Sequence, residues 1–553
     1  MANAQTAPQR WLYGPGPDLL LGCGLLYVVF FAAFVAVGPS VRAAQPAILL
    51  PLLMLLLSTP HYGATLIRVY EHAEDRHAYA FFTVWVTIAL CAVFVAGVYV
   101  PWVGTAMLTI YLTWSPWHYT GQNFGIAMMF LRRREIAVSQ PARRWLHASF
   151  VLSFLLLFFV MHGREDPGAP FASQYENAGV HLAYLGIPES ITAIAVPLLG
   201  LAYVVSLGGT AVSLLRIAPA RELLPVAALV LSQALWFSIP EAARYWSLDG
   251  GLEVLDIDYR TYYFSWIVFA HAIQYLWITA YYARAKRDGE SGLRGEAGQF
   301  GKALLAGNAA WLIPGLLLTP DGLGTLSYDV GLGLLVASLV NLHHFILDGA
   351  IWKLRSSRVA NVLIRSSASV DTGPASAAEA PSAWRPALVW GALALLLLGS
   401  AVEVYESQIA LPRSLERGDH EAARRSLDRM AWLARDSPRA RTTIGSQLYA
   451  AGEADQALAE LERSIALQPG VAAYSGIGRI HADAERWDEA ASAFDAALAI
   501  DPETAALQSL AGLAHLSKGD AETARVRFER ALALDPQDAR AQWGLAEVER
   551  KGS

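Results

Sequence analysis

The sequence predicts an all-α protein in two parts: a polytopic transmembrane bundle of about eleven helices, followed by an α-solenoid of helix pairs. Three observations carry this expectation. The 553 residues are 54% hydrophobic and only 16% charged, whereas soluble globular chains carry about a quarter charged residues. Apolar runs of the roughly 20 residues that a bilayer core requires recur along the first part of the chain. After Glu403 hydropathy falls and a regular spacing takes over, the mark of a repeat architecture.

The N-terminal stretch Met1 to Pro17 leads into an apolar run from Leu19 to Val37 without a small-x-small cleavage site, so it reads as an uncleaved anchor. Further spans are expected near 46–68, 79–99, 103–131, 145–162, 190–215, 222–239, 260–283, 300–319, 329–352 and 385–402. Residues 1–365 form the membrane domain in this reading, 385–402 its last helix and 403–553 the solenoid. Between them, residues 366–384 turn to Ser, Ala, Pro and Glu and read as a flexible linker, because such a segment buries too little apolar surface to fold.

Orientation follows from Lys and Arg in short loops. Arg132 to Arg134, Arg284 with Lys286 and Arg287, and Lys353 with Arg355 and Arg358 all follow even-numbered spans. The N-terminus is therefore expected in the cytoplasm, and an odd total of spans sends the C-terminal domain to the extracytoplasmic side. In a Gram-negative cell that arrangement places the bundle in the inner membrane and the solenoid in the periplasm. The net charge of −6 and the absence of a basic run interleaved with aromatics exclude a nucleic-acid partner. Cys23 and Cys91 sit in apolar runs and offer neither a disulfide scaffold nor a Cys metal site.

In the C-terminal part, Pro438, Pro469, Pro502 and Pro536 recur at intervals of 31, 33 and 34 residues, and Ala423, Ala457, Ala490 and Ala524 at 34, 33 and 34. Gly418, Gly452 and Gly519 share the register. A small residue allows helices to cross closely, and each Pro is expected to end the second helix of its unit, with Pro438 out of step. This pattern resembles the tetratricopeptide repeat over about 410–550. The resemblance implies a helix-pair superhelix whose concave face binds a protein or peptide; a module serving only assembly is the competing reading.

Candidate chemistry lies in the membrane domain. His61, His118, His271 and the pair His343 and His344 fall on even-numbered spans, each about 7 to 14 residues before the basic cluster that ends its helix. At 1.5 Å per residue they share a depth roughly 10–20 Å from that boundary. Intramembrane ionisable groups are costly and face the bundle interior, and several imidazoles meeting at one point suit iron, zinc or copper. His61, His118, His271, His343 and His344 are therefore the expected metal ligands. Adjacent helical residues point about 100° apart, so His344 leads and His343 is the alternate. Gln122, Gln274 and Asp348 follow ligand histidines by three or four residues and, with Asn341, are expected to hold their second ring nitrogens. Tyr62, Tyr119 and Tyr275 adjoin the same stretches. Trp114, Trp117, Trp266, Trp277 and Trp352 would line an apolar substrate slot. Interhelical hydrogen bonding without a metal and a proton or ion pathway are the competing readings. His72 and His77 read as a solvated turn, with extra ligands reaching back toward the site as the competing reading, and His420, His481 and His515 as surface residues.

The HAEDRH segment is one residue longer than the HxxxH box of membrane desaturases, so that family's pattern is not met. The arrangement of single histidines on His61, His118, His271 and His343 or His344 is similar to that of membrane carotene-cleaving dioxygenases, which implies iron binding. The expected function is an iron-dependent membrane oxidoreductase acting on a lipid-soluble molecule, with the repeats docking a protein. Alternatives are a TPR scaffold or transporter subunit without enzymatic activity, and a polytopic glycosyltransferase of the kind that ends in such repeats. The loop GPSVRAAQ lacks the carboxylates that such a transferase places after its first span.

Overall fold

The computed structural model describes residues 10–37, 45–71, 73–163, 180–239, 257–286, 293–352, 361–365 and 384–552. The GPSVRAAQ loop, His72 and nearly all of the linker lie outside them. Every regular element among these residues is helical. The chain divides into two compact units, one of residues 1–314 and 334–401, the other of residues 315–333 and 402–553. The second unit therefore takes in a loop from between two expected spans, which sequence reasoning had assigned to the membrane domain.

In the first unit the helices are α1 (Pro15–Gly22), α2 (Leu25–Val37), α3 (Leu49–Tyr70), α4 (Phe81–Tyr99), α5 (Pro101–Arg133), α6 (Gln140–His162), α7 (Glu189–Leu215), α8 (Ala220–Ser238), α9 (Ile257–Lys286), α10 (Leu293–Leu317) and α11 (Leu332–Ile351). Helix α12 follows at Ala387–Glu416. A helix stands at each of the eleven expected spans, but the count of strongly apolar ones is lower. Among the described residues eight are long and apolar enough to cross a membrane, or nine if α1 and α2, bent by 64°, form one broken span. Helices α5 and α9, of 33 and 30 residues, are not among these. Their Tyr, Trp, His and Gln side chains depress the hydropathy that such a test reads, and they are the helices that carry His118 and His271.

Two local features position the site. Gly24, with φ +80°, makes the turn between α1 and α2, and the carbonyls of Gly22 and Cys23 released there accept hydrogen bonds from Gln274 Nε2 (3.3 Å) and Ser232 Oγ (2.9 Å). Helices α3 and α10 touch backbone to backbone: a Cβ on Gly63 would fall 1.7 Å from the Ala303 carbonyl oxygen, and one on Gly307 1.7 Å from that of Thr59. Such small-residue contacts are how spanning helices approach closely without a hydrophobic driving force. Near the basic end of α5, Arg133 is buried and donates to the carbonyls of Leu363 (2.7 Å) and Trp11 (3.0 Å).

The second unit contains α13 (His420–Ala431), α14 (Pro438–Ala450), α15 (Ala454–Leu467), α16 (Val471–Asp483), α17 (Trp487–Ile500), α18 (Ala505–Ser517), α19 (Ala521–Leu534) and α20 (Ala539–Gly552). Ala423, Ala457, Ala490 and Ala524 are each fully buried, at 0% exposure, because only a methyl fits where the paired helices cross. Phe494 and Phe528 fill the space over Gly478 and Gly512. Gly418, Gly452 and Gly519 adopt φ of 66°, 83° and 94°, and the fourth position in that register holds Glu485 at φ 57°. Pro469, Pro502 and Pro536 follow the ends of α15, α17 and α19, whereas Pro438 opens α14 behind the Ser437 cap. The expected role of Pro438 as a helix terminator is thereby corrected. His515 is also corrected from surface to buried: its ring lies between Asp495 (2.9 Å) and Asp520 (3.2 Å).

Candidate functional site

His61, His118, His271 and His344 come together from α3, α5, α9 and α11. Ring centroids lie 4.3 Å apart for His61 and His344, 4.8 Å for His61 and His271, 5.1 Å for His118 and His271, and 5.2 Å for His118 and His344. One donor atom from each of His61, His271 and His344 lies within 4.8 Å of the others, and so does one from each of His118, His344 and Asp348. His343 is not part of the cluster. It turns to the neighbouring face of α11, where Nε2 meets Thr87 Oγ1 at 2.8 Å, as the 100° step between adjacent residues requires.

The polar surroundings differ from expectation. Gln122 and Gln274 bond to each other (3.3 Å) rather than to His118 and His271. Asn341 accepts from Tyr62 (2.8 Å). His344 Nδ1 instead meets Thr65 Oγ1 at 2.9 Å. Thr65 was not singled out in the sequence, although it follows His61 by one helical turn, the spacing that identified the glutamines.

Thr65 donates to Asp348 Oδ1 (3.1 Å), which also accepts from Tyr275 (2.7 Å), and Trp352 Nε1 donates to the Tyr275 oxygen (3.1 Å). With the Thr65 proton directed to the carboxylate, His344 Nδ1 carries the proton given to Thr65. The Nε2 lone pair then faces the cluster. Asp348 Oδ2, free of these bonds, lies 3.4 Å from His344 Nε2 and 3.8 Å from His118 Nε2. Asp348 thus stands among the donors rather than behind them.

His61 Nε2 approaches His344 Nε2 to 2.7 Å. That contact closes through a single proton or around a cation. His118 Nε2 and both ring nitrogens of His271 are buried without a hydrogen-bond partner. Unsatisfied polar atoms inside a bundle are expensive, since no water replaces the lost partner. Buried imidazole nitrogens without protein partners are atoms that a cation could use.

Aromatic rings enclose the cluster. Tyr119 stacks on His271 (4.0 Å) and Phe345 on His118 (4.4 Å). Of the tryptophans, Trp352 reaches the site through Tyr275, Trp114 packs on Phe345 (6.2 Å), and Trp266 stacks on Phe30 (4.1 Å). Trp277 donates to Asp18 (3.0 Å) and Trp117 packs on Phe154, so neither reaches the imidazoles. His77 is exposed, which agrees with a solvated turn.

Residues 442–505 and 509–553 match the tetratricopeptide-repeat family. Among similar solved structures, MamA from Desulfovibrio magneticus RS-1 is 22% identical, covering 27% of this chain and 85% of that chain with a TM-score of 0.24. YrrB, described as a TPR protein with an unusual peptide-binding site, is 21% identical, covering 29% of this chain and 81% of that chain with a TM-score of 0.22. No curated protein matches the chain. The C-terminal part of the chain is a tetratricopeptide-repeat domain.

Proposed function

We propose that the membrane domain is a metal-dependent oxidoreductase acting on a lipid-soluble substrate, with the repeat domain docking a protein. The observation that carries this reading is the presence of two donor groups that share His344, one of His61, His271 and His344 and the other of His118, His344 and Asp348, with His118 and His271 nitrogens left unpartnered. His61, His271 and His344 would hold an ion, with His118 and Asp348 reaching it from the side of His344. A set of neutral imidazoles with one carboxylate suits ferrous iron, and zinc or copper accept the same nitrogen donors.

Bound iron would supply oxygen chemistry there. The chain's own groups do the rest. Thr65 fixes the His344 tautomer, Tyr275 and Thr65 hold Asp348 Oδ1, and Tyr119 and Phe345 cover the rings and exclude water. The burial of the cluster among spanning helices favours a substrate that arrives from the lipid. Shared membership of loop 315–333 and the repeats in one compact unit requires both to lie on the same side of the membrane, as the two spans between them also require, and the charge pattern alone names that side as extracytoplasmic.

Elemental analysis of the full chain purified in mild detergent tests the proposal. A stoichiometric transition metal in the natural protein, lost in the His118→Ala and His271→Ala double variant, is expected. A metal-free natural protein that folds normally would sink it. That result would favour the second reading, a non-enzymatic scaffold, which the repeat match at 442–505 and 509–553 favours on its own.

A further inference from the structure

Loop 315–333, which joins α10 to α11, is seated on the helix pair of α14 and α15 and the turns at their ends by four side-chain-specific contacts. Asp321 receives both Nη atoms of Arg463, at 2.9 and 2.7 Å. Asp329 Oδ2 accepts from Ser437 Oγ (2.6 Å), the Tyr328 ring lies 3.4 Å beneath the Arg435 guanidinium, and Gln468 Oε1 accepts from the Ser327 amide (3.4 Å). The receiving side is built in advance. Arg463 Nε is anchored on Asp436 (2.9 Å), which leaves the two Nη atoms as a fork aimed at a carboxylate. Asp436 is held from its other side by Arg441 (2.9 Å).

We propose that α14 and α15 form a receptor for an acidic peptide bearing a Tyr-Asp pair. Loop 315–333 is its resident occupant in cis, displaceable by a segment of the same chemistry from another protein. The seated loop itself defines what fits: one carboxylate for the Arg463 fork and, seven and eight residues later, an aromatic ring for Arg435 and a second carboxylate for Ser437. The Arg463 and Asp321 side chains are 35% and 43% exposed, and water competes for such a pair, so the occupant can exchange.

Exchange has a consequence along the chain. Tyr328 packs against Gly333 in the first turn of α11, with its carbonyl oxygen 2.9 Å from where a Gly333 Cβ would stand. The Ser327 carbonyl accepts from the Leu332 amide (3.2 Å) at the start of the same helix. Helix α11 carries His344 and Asp348. Release of the loop therefore frees the first turn of a helix that supplies two of the clustered donors. The docking proposal holds whether or not a metal is bound.

The test uses the full chain in lipid nanodiscs and a fluorescent synthetic peptide with the sequence of residues 318–330. The double variant Asp321→Ala and Tyr328→Ala empties the receptor without touching the repeats, and the peptide is expected to bind it about tenfold more tightly than the natural chain. Arg463→Ala in that background is expected to abolish binding. Hydrogen exchange in α16 to α20 reports that the repeats stay folded in each variant. Equal affinity for the natural chain and the emptied loop variant overturns the proposal, and so does a peptide that fails to bind the emptied variant at millimolar concentration.

Discussion

His61 Nε2 and His344 Nε2 stand 2.7 Å apart although 283 positions separate them in the chain. Two ring nitrogens are held this closely only because α3 and α11 each turn one face to a common centre. Interference with either face should register as lost metal before it registers as lost fold.

His344→Ala should abolish metal binding, whereas His343→Ala should leave stoichiometry unchanged, since His343 bonds to Thr87 outside the cluster. Metal content per mole of each purified variant distinguishes them. Equal losses in both would mean that the pair serves packing.

Thr65→Val removes the acceptor for His344 Nδ1 and a donor to Asp348 while keeping the shape of the side chain. Loss of such an orienting partner weakens metal binding about 10–100-fold. Titration of the apo-protein with ferrous or zinc ions reads this directly, and an unchanged affinity would remove Thr65 from the site.

Gly63→Ala should destabilise the membrane domain by about 1–3 kcal/mol, the usual cost of overpacking. Its Cβ would lie 1.7 Å from the Ala303 carbonyl oxygen, a backbone atom that cannot swing aside. Thermal unfolding in detergent measures the shift. Gly121→Ala, with nothing within 4 Å of its added methyl, serves as the control.

Glu485→Gly should stabilise the repeats by up to about 1 kcal/mol, because a left-handed conformation that strains a side chain costs glycine little. The expectation rests on its φ of 57° at the position where the sister units carry glycine. Denaturant unfolding followed by repeat-domain fluorescence checks it. Arg441→Leu should act in the opposite direction, by about 1–3 kcal/mol, since it takes one of two guanidinium partners from each of the buried carboxylates Asp436 and Glu460, leaving Arg463 on the first and Arg424 on the second.

Docking of loop 315–333 should weaken in acid. Its hydrogen bonds to Arg463 hold the Asp321 carboxyl below its ordinary 3.8. A carboxylate with a lowered value contributes stability that is fully present above the ordinary value and lost as pH falls through the lowered one. Burial pushes Asp329 the other way, but its contact with Ser437 survives protonation because a neutral carboxyl still hydrogen-bonds a hydroxyl. Exchange at the Ser327 amide, taken relative to its intrinsic rate at each pH, should therefore stay slow down to about pH 4 and rise below it. A rise already complete near neutrality would contradict this assignment.

Much of the fold was legible because it rests on short-range chemistry. Apolar runs marked where helices stand, and the spacing of Ala423, Ala457, Ala490 and Ala524 marked the repeats, since a buried crossing tolerates only a small side chain. A shared depth for His61, His118, His271 and His344 followed from the helical rise alone. The low hydropathy of α5 and α9 carried a further hint, for polar and aromatic residues there turn inward.

Depth is one coordinate, and a helix must also choose its rotation about its own axis. No local rule sets that rotation: it follows from the contact of Gly63 and Gly307 and from the packing around α9 and α11. Tertiary structure therefore decided that His344 rather than His343 faces the centre, that Thr65 rather than a glutamine holds its ring, and that Asp348 lends an oxygen beside the imidazoles. It also decided that loop 315–333 belongs with the repeats. Asp321 and Arg463 are 142 positions apart in the chain, and charges so distant pair only after the solenoid has placed the guanidinium fork.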